Sequence, residues 1–161
     1  GGICSTSTTI FNTALRAGLE MGDRANHYYY IDRYPMGLDA TVFATDYYSQ
    51  SMTFTNDTES PLIIKSHASP GMVRFDLWGM PLHRVVSFTN PVTWNHTYGH
   101  DTVEYTSSLP PGVTQRTEYI HNGFSVEVTR KVTDTTTGQV IHTDTYTSHY
   151  QTVNGVVLVG R

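Results

Sequence analysis

Apolar residues recur at helical spacing near the start of the chain, within the segment STTIFNTALRAGLEMG. Polar side chains (Asn12, Arg16 and Glu20) occupy the other side of this stretch, which is the pattern of a helix with one buried face. Ser and Thr crowd the place where an N-cap belongs, and Gly22 stands where a helix can end. The pattern predicts one amphipathic helix at about residues 6–20.

Beyond this segment the hydrophobic pattern changes from helical spacing to alternation. LDATVFAT, YYSQSMTFTN, PLIIKSHA and FSVEVTRKV each alternate apolar and polar residues in the manner of half-buried strands. Breaker-rich stretches, SHASPGM at 66–72 and SLPPGV at 108–113, divide the chain. Turn signals at 121–123 and 134–138 flank the clearest strands and predict an antiparallel meander over residues 116–160.

These elements predict an α+β fold, with one N-terminal helix packed on a small antiparallel sheet and a β-rich meander module after it. A chain of 161 residues suffices for one ordinary domain or two small ones. We expect two, a core at residues 1–80 and a β-rich module at 81–161. Only 15% of the residues are charged, and the many Thr, Tyr, Ser and Gly residues favour strands and turns.

Charge and hydropathy exclude several classes of partner. The formal net charge is -4, so the composition does not predict the positively charged surface that binds nucleic acid. No stretch is long and apolar enough to cross a membrane, and the first residues lack the features of a signal peptide. We therefore expect Gly1 to be a processed start. The sequons at Asn56 and Asn95 would matter only in a glycosylating pathway.

The single cysteine, Cys4, is either a packing residue or a nucleophile. It precedes the predicted helix, where backbone amides and the helix dipole lower the pKa of a thiol. A cysteine nucleophile also needs a base and a group that orients the base. His27 and Asp39 follow in that order, which predicts a catalytic set of Cys4, His27 and Asp39. Gly2 would let a substrate approach closely.

Aromatic and histidine-rich segments add weaker candidates. Tyr28 and Tyr30 lie in a tyrosine run, which is either packing or a surface that binds sugar rings. His96 and His100 have the spacing of a helical metal pair, but WNHTYGHD is typical of a turn or strand, so we predict no metal and no cofactor. The pattern around His142, Asp144 and His149 is interpreted as a solvated strand face.

The first half of the chain resembles the VanW family of bacterial surface proteins, over roughly residues 1–80. Glycines, a cysteine and Ser-Thr-Thr lead into an Asn-Ala-Leu helix that ends Ala-Gly-Leu, followed by His, Asp-Ala-Thr-Val and Asn-Asp-Thr. The matching positions are Gly1, Gly2, Cys4, Ser7, Thr8, Thr9, Asn12, Ala14, Leu15, Ala17, Gly18, Leu19, His27, Asp39, Ala40, Thr41, Val42, Asn56, Asp57 and Thr58. The second half resembles a glycine-containing extracellular β module.

The resemblance implies an exported protein of the bacterial cell surface or cell wall. Ser5 stands where the family has Gln, and with Gly2, Tyr28 and Tyr30 it completes the predicted substrate-binding set. The segment that usually precedes the glycines in this family is not in this sequence. We expect that the protein was processed, that the sequence is a fragment, or that another chain supplies the segment. The departure at Ser5 leaves open whether an ancestral activity is retained.

Two functions from different classes remain. In the first, Cys4 is the nucleophile of an acyl transferase or hydrolase that acts on peptide, with the cell-wall peptide as the expected partner. In the second, Cys4 is a packing residue of a non-catalytic surface module. That module would bind glycans or assemble with other copies by strand addition.

Overall fold

The computed structural model describes residues 2–161, in which one helix is followed by thirteen strands. The helix, α1, spans Ile3–Ala17. The strands of the first half are β1 (Glu20–Met21), β2 (Phe43–Ala44), β3 (Ser49–Gln50), β4 (Phe54–Thr55), β5 (Ile63–Ser69) and β6 (Met72–Trp78). The strands of the second half are β7 (Arg84–Phe88), β8 (Val92–Thr97), β9 (Asp101–Thr106), β10 (Thr114–Glu118), β11 (Gly123–Asp134), β12 (Val140–Tyr150) and β13 (Gly155–Gly160). The predicted α+β class is confirmed.

Helix α1 begins and ends earlier than its sequence pattern predicts. Its N-cap is Gly2, with φ 116°, and not one of the Ser or Thr residues. Several of those hydroxyls donate to carbonyl oxygens of the preceding turn, as in the bond from Thr9 to Ser5 O at 2.7 Å. At the other end Gly18 adopts φ 78°, and its N–H bonds back to the last turn. The helix therefore stops at Gly18 and not at Gly22.

Strand β11 is the centre of the larger sheet. It pairs antiparallel with β12 along one edge and with β7 and β8 along the other. The predicted turn at 134–138 joins β11 to β12, with Gly138 at φ 74°. The predicted β-rich module is present, but its strand order is not that of a meander, since β10 and β13 lie in a different sheet from β11 and β12. Because both edges of β11 are occupied, β10 pairs with β13 in a second sheet, where β13 also runs parallel to β9.

The remaining strands form three two-stranded ladders, β1–β4, β2–β3 and β5–β6. All three belong to the first half of the chain, and β5–β6 is the longest of them, with seven residues in each strand. Most residues of β5 and β6 are exposed. The first half therefore contributes the helix and small ladders, and the second half contributes the extended sheets.

The hydrophobic core joins the helix to the central hairpin. Phe11 and Leu15 of α1 are fully buried against Val128 of β11 and Tyr146 of β12, with Leu38 and Ala40 in the same cluster. The rings of Phe11 and Tyr146 meet edge-on, 5.8 Å apart. This core takes residues from both predicted domains, and the division at residue 80 stays a prediction.

A buried arginine fixes the end of the helix to the sheet. Arg130 of β11 is fully buried and donates to the carbonyl oxygens of Leu15 and Leu19, each at 3.0 Å. Its Nε donates to Asp144 at 2.7 Å. A cation at the C-terminal end satisfies free carbonyls and opposes the negative end of the helix dipole. Arg130 therefore ties the C-terminal end of α1 to the central sheet.

Candidate functional site

The helix residues that follow Cys4 hold the segment that carries Asp39. Thr8 accepts a hydrogen bond from the Ala40 backbone N–H at 3.0 Å, and Ser7 donates to the Ala40 carbonyl at 2.5 Å. Asn12 donates to the carbonyl oxygen of Leu38 at 2.7 Å. These side chains of α1 make the hydrogen bonds to the backbone that a neighbouring strand would otherwise make. They therefore fix the backbone on both sides of Asp39.

Asp39 is a buried carboxylate with a full set of donors. Its side chain is 3% exposed. Oδ2 accepts from the His27 ring Nδ1 at 2.6 Å and from the His27 backbone N–H at 2.7 Å. Oδ1 accepts from Arg24 at 3.0 Å and from the Tyr150 hydroxyl at 2.5 Å. Burial alone would raise the pKa of Asp39, but the bonds from His27 and Tyr150 and the charge of Arg24 outweigh it and lower the pKa.

The ionised carboxylate determines the orientation and tautomer of His27. Since a carboxylate only accepts, the hydrogen on the His27 ring lies on Nδ1, and Nε2 is the free nitrogen. Nε2 is buried and has no partner of normal hydrogen-bond geometry among the described residues. The Tyr34 ring stacks on the imidazole, with centroids 5.2 Å apart. The bond to Asp39 raises the pKa of His27, burial opposes the rise, and the adjacent Cys4 adds to it.

Cys4 lies in the first turn of α1 and is half-buried. Its Sγ is 3.4 Å from the Thr41 hydroxyl and 3.7 Å from the Val42 carbonyl oxygen. Burial would raise the pKa of the Cys4 thiol, but the Thr41 hydroxyl and the neighbouring His27 outweigh burial and lower it. The pKa of Cys4 falls while that of His27 rises, so both shifts favour a thiolate–imidazolium pair.

The helix N-terminus lies at this pair. Among residues 2–161, the first intrahelical backbone bond runs from Thr6 N–H to Gly2 O at 3.0 Å, and the amides of Ile3, Cys4 and Ser5 precede it in the first turn of the helix. Gly2 has no side chain with which to cap them. Free amides beside a nucleophile can stabilise the negative oxygen that forms during acyl transfer.

The predicted substrate-binding residues lie at different distances from this centre. Gly2 is the exposed N-cap, and the Ser5 hydroxyl is 2.9 Å from the hydroxyl of Tyr34. Tyr30 packs against the Tyr150 ring at 5.3 Å and lines a cavity of about 600 Å³, to which Asp32, Arg33 and Phe124 also contribute. Tyr28 is 69% exposed. A substrate-binding role for these four residues stays a prediction.

Sequence reasoning missed four residues that support the site. They are Arg24 and Tyr150 on Asp39, Tyr34 on the imidazole, and Thr41 on the thiol. Thr41 lies within the Asp-Ala-Thr-Val motif and could have been found from it. Tyr150 could not, because it is separated from Asp39 by 111 positions.

The strand face of His142, Asp144 and His149 is not simply solvated, contrary to its interpretation from the sequence. His142 Nε2 bonds to Asp57 at 2.8 Å, and Arg84 donates to both oxygens of that carboxylate at 3.0 Å. His149 Nδ1 is 2.9 Å from the Ser125 hydroxyl, and Asp144 holds Arg130. His142 has its partner because Asp57 of the first half packs over the strand, whereas His149 and Asp144 contact their cross-strand neighbours on β11. Local alternation reveals neither kind of contact.

Among residues 2–161, no group of three or more His, Cys, Asp or Glu side chains is arranged to hold a metal ion. His96 Nε2 lies instead 3.2 Å from the Thr93 hydroxyl. The helix that the structure describes is not long and apolar enough to span a membrane.

Comparison with known proteins confirms the resemblance of the first half. Residues 1–78 match a protein-family model described as "VanW like protein". The chain is also 33% identical over 78 residues to "Uncharacterized protein YoaR" of Bacillus subtilis (strain 168). That match covers 48% of this chain and 25% of the relative, so the chain spans about a quarter of the relative's length.

Two solved structures of G5 domains are similar to about half of this chain. One, described as "IgA1 Protease G5 domain structure", is 13% identical, covers 52% of this chain and 98% of its own, and has a TM-score of 0.31. The other, "Crystal structure of HP0197-G5", is 19% identical, covers 48% of this chain and 97% of its own, and has a TM-score of 0.25.

Proposed function

We propose that this protein works at the bacterial cell surface or cell wall and carries a cysteine-dependent acyl-transfer centre that acts on peptide. In this centre Cys4 is the nucleophile, His27 the acid and base, and Asp39 the group that orients His27. The surface location rests on the VanW resemblance. The chemistry is supported by the His27 imidazole, which a buried carboxylate fixes at Nδ1 while its buried Nε2 has no partner among the described residues. The mutual pKa shifts of Cys4 and His27 agree with it.

The proposed reaction has two halves. The Cys4 thiolate attacks a peptide carbonyl carbon, a C–S bond forms, and the carbonyl oxygen becomes an anion beside the first amides of α1. As the C–N bond breaks, the His27 imidazolium gives its Nε2 proton to the departing amine. An amine or a water then attacks the thioester, His27 removes the proton from the attacking atom, and the thiolate of Cys4 is released.

Intact-mass spectrometry with a peptide thioester as acyl donor tests this function. We expect the wild-type chain to gain the mass of one acyl group on Cys4 and to lose it on treatment with hydroxylamine. Adding an amine should produce an amide if the centre transfers, and free acid alone if it hydrolyses. Cys4→Ala should gain no adduct, and absence of an adduct on the folded wild type would reject acyl transfer.

A second candidate function, a non-catalytic assembly module, is favoured by the β5–β6 ladder. These two strands pair only with each other among the described residues. Helix α1 lies against β6, whereas β5 is exposed along its whole length and keeps an open edge. They carry exposed apolar side chains at Ile63, Met72 and Trp78. Open strand edges of this kind accept strands from other chains. Light scattering across a concentration series tests it, and a chain that stays monomeric at high concentration would reject it.

A further inference from the structure

Strand β12 carries two buried tyrosines on one face, and only one of them reaches the candidate site. Tyr146 and Tyr150 are four residues apart, which places them on the same side of a strand. They are 9% and 3% exposed. The hydroxyl of Tyr146 has no hydrogen-bond partner within residues 2–161. The hydroxyl of Tyr150 donates to Oδ1 of Asp39 at 2.5 Å.

The Tyr150 hydroxyl is itself oriented by the first half of the chain. The backbone N–H of Gly37 donates to the Tyr150 oxygen at 3.3 Å. Because that lone pair is occupied by a donor, the hydroxyl hydrogen is directed toward Asp39. Burial and the negative charge of Asp39 raise the pKa of Tyr150, so the phenol stays protonated and acts as a donor throughout the physiological range.

The contact completes the set of donors on Asp39. Each carboxylate oxygen has two lone pairs, and here Oδ2 takes two donors from His27 while Oδ1 takes Arg24 and Tyr150. A hydrogen bond to Oδ1 disperses negative charge that would otherwise act on the imidazole. It also prevents the carboxylate from rotating away from Nδ1.

We propose that Tyr150 is a positioning residue of the candidate site, which acts on the Cys4–His27 pair through Asp39. The β-rich half of the chain would then set the protonation of a site whose other residues come from the VanW-like half. The meaning of this role for catalysis rests on the proposed function, whereas the coupling from Tyr150 to His27 is measurable without it.

The titratable and charged groups around His27 come from three segments. Helix α1 contributes the Cys4 thiol, and strand β12 contributes Tyr150. The segment between β1 and β2 contributes charged and titratable groups at Arg24, Tyr30, Arg33, Tyr34 and Asp39. Of these, Cys4 is the group whose ionisation overlaps that of His27, so a Cys4→Ala background leaves the imidazole to titrate without the thiol.

Two substitutions on β12 form a matched pair in that background. Tyr150→Phe removes the hydroxyl that Asp39 accepts, and Tyr146→Phe removes a hydroxyl without a described partner. Both keep a ring, so the packing of Tyr150 on Phe124 at 5.2 Å and of Tyr146 on Phe11 is retained. Thermal unfolding of both variants checks that they fold.

NMR titration of the His27 ring gives the decisive readout, with the resonance assigned by comparison with His27→Gln. We expect Tyr150→Phe to raise the midpoint of His27 by at least about 0.3 pH units, a twofold change in the ratio of imidazolium to imidazole. The pKa of His27 rises because Asp39, without the hydrogen bond from Tyr150, carries more negative charge toward the ring and stabilises the imidazolium more strongly. Tyr146→Phe should leave the midpoint at the value of the parent.

A His27 midpoint in Tyr150→Phe that equals that of Tyr146→Phe, or falls below it, would overturn the proposal. This outcome is separate from the fate of the acyl-transfer function. A raised midpoint without any acyl adduct on wild-type Cys4 would retain the coupling and reject acyl transfer. An adduct together with an unchanged midpoint would retain acyl transfer and reject the role of Tyr150.

Discussion

Asp39 is the residue on which the candidate site depends most. It is the counter-charge of Arg24, the hydrogen-bond partner of His27 and the acceptor for Tyr150, all in a buried position. Losing one partner of a buried charge network leaves the others with an uncompensated desolvation cost. The same carboxylate therefore serves the stability of the chain as well as the orientation of the imidazole.

Asp39→Asn should lower the free energy of unfolding by about 3–5 kcal/mol, because a buried guanidinium loses its charge partner. Urea denaturation followed by circular dichroism measures the change. The matched control is Asp101→Asn, which breaks an exposed bidentate contact with Arg116 and should leave the unfolding curve nearly unchanged. Equal effects of the two substitutions would contradict the buried network.

Asp57 links pH to stability through its bonds with Arg84 and His142. Burial opposes its charge, but those two bonds and the charge of Arg84 lower its pKa. A carboxylate with a lowered folded pKa adds stability above its unfolded pKa of about 3.9 and loses it as pH falls through the folded value.

Asp57→Asn should therefore cost stability above about pH 4 and cost progressively less as the pH falls below it. Thermal unfolding of wild type and variant between pH 2 and pH 7 measures the difference. Asp46→Asn, at an exposed aspartate, is the control and should show no such trend. A cost that stays constant across the whole range would contradict the ionic role of Asp57.

At the scale of elements, the end of helix α1 depends on a glycine. Gly18 has φ 78°, and a β-carbon there would lie 3.1 Å from Val132 and 3.3 Å from Val86. Gly18→Ala should destabilise the chain by the left-handed backbone cost of about 1–2 kcal/mol and by a further amount from these contacts. Gly71→Ala is the control, because Gly71 has φ 77° with nothing within 4 Å. Equal losses in chemical denaturation would contradict close packing at Gly18.

The elements could be predicted from the sequence wherever periodicity carried the information. The apolar stripe around Phe11 and Leu15 predicted the helix, and the alternation around Val126 predicted β11. The helix ends could not be placed, because Gly18 and Gly22 are equally plausible stops in a local reading. The helix ends at Gly18 and not at Gly22 because the chain turns there to place Leu19, which is fully buried in the folded chain.

The candidate site could be predicted in part. Cys4, His27 and Asp39 were predicted from their order and from the family resemblance. The structure shows the bond between His27 and Asp39, and the catalytic role of the three residues stays a prediction. Their supports were not predicted, because strand alternation does not distinguish Tyr150, which reaches Asp39, from Tyr146, which does not. That distinction depends on how the first half of the chain packs over β12.

At the scale of the whole molecule, the two halves share one core. The buried face of α1 packs against residues of β11 and β12, and Arg130 and Tyr150 extend from these strands to the helix end and to Asp39. Neither the helix face nor the candidate site is complete without the β-rich half.

A chain of residues 2–78 alone should therefore lack a cooperative unfolding transition, because Phe11 and Leu15 would have no sheet to cover them. Differential scanning calorimetry of this fragment against the full chain measures it. The full chain should give one transition. A cooperative transition in the fragment, with the thiol of Cys4 as reactive as in the full chain, would contradict the shared core.

The central claim is that the fold activates Cys4 through His27. The pH dependence of Cys4 alkylation by iodoacetamide tests it most directly, measured on the folded chain, on the urea-unfolded chain and on His27→Gln. At pH 6 we predict that the folded wild type reacts at least about tenfold faster than the unfolded chain, whose thiol is almost wholly protonated there. His27→Gln should lose this advantage while remaining folded. A folded thiol that reacts more slowly than the unfolded one at every pH would contradict the account and identify Cys4 as a packing residue.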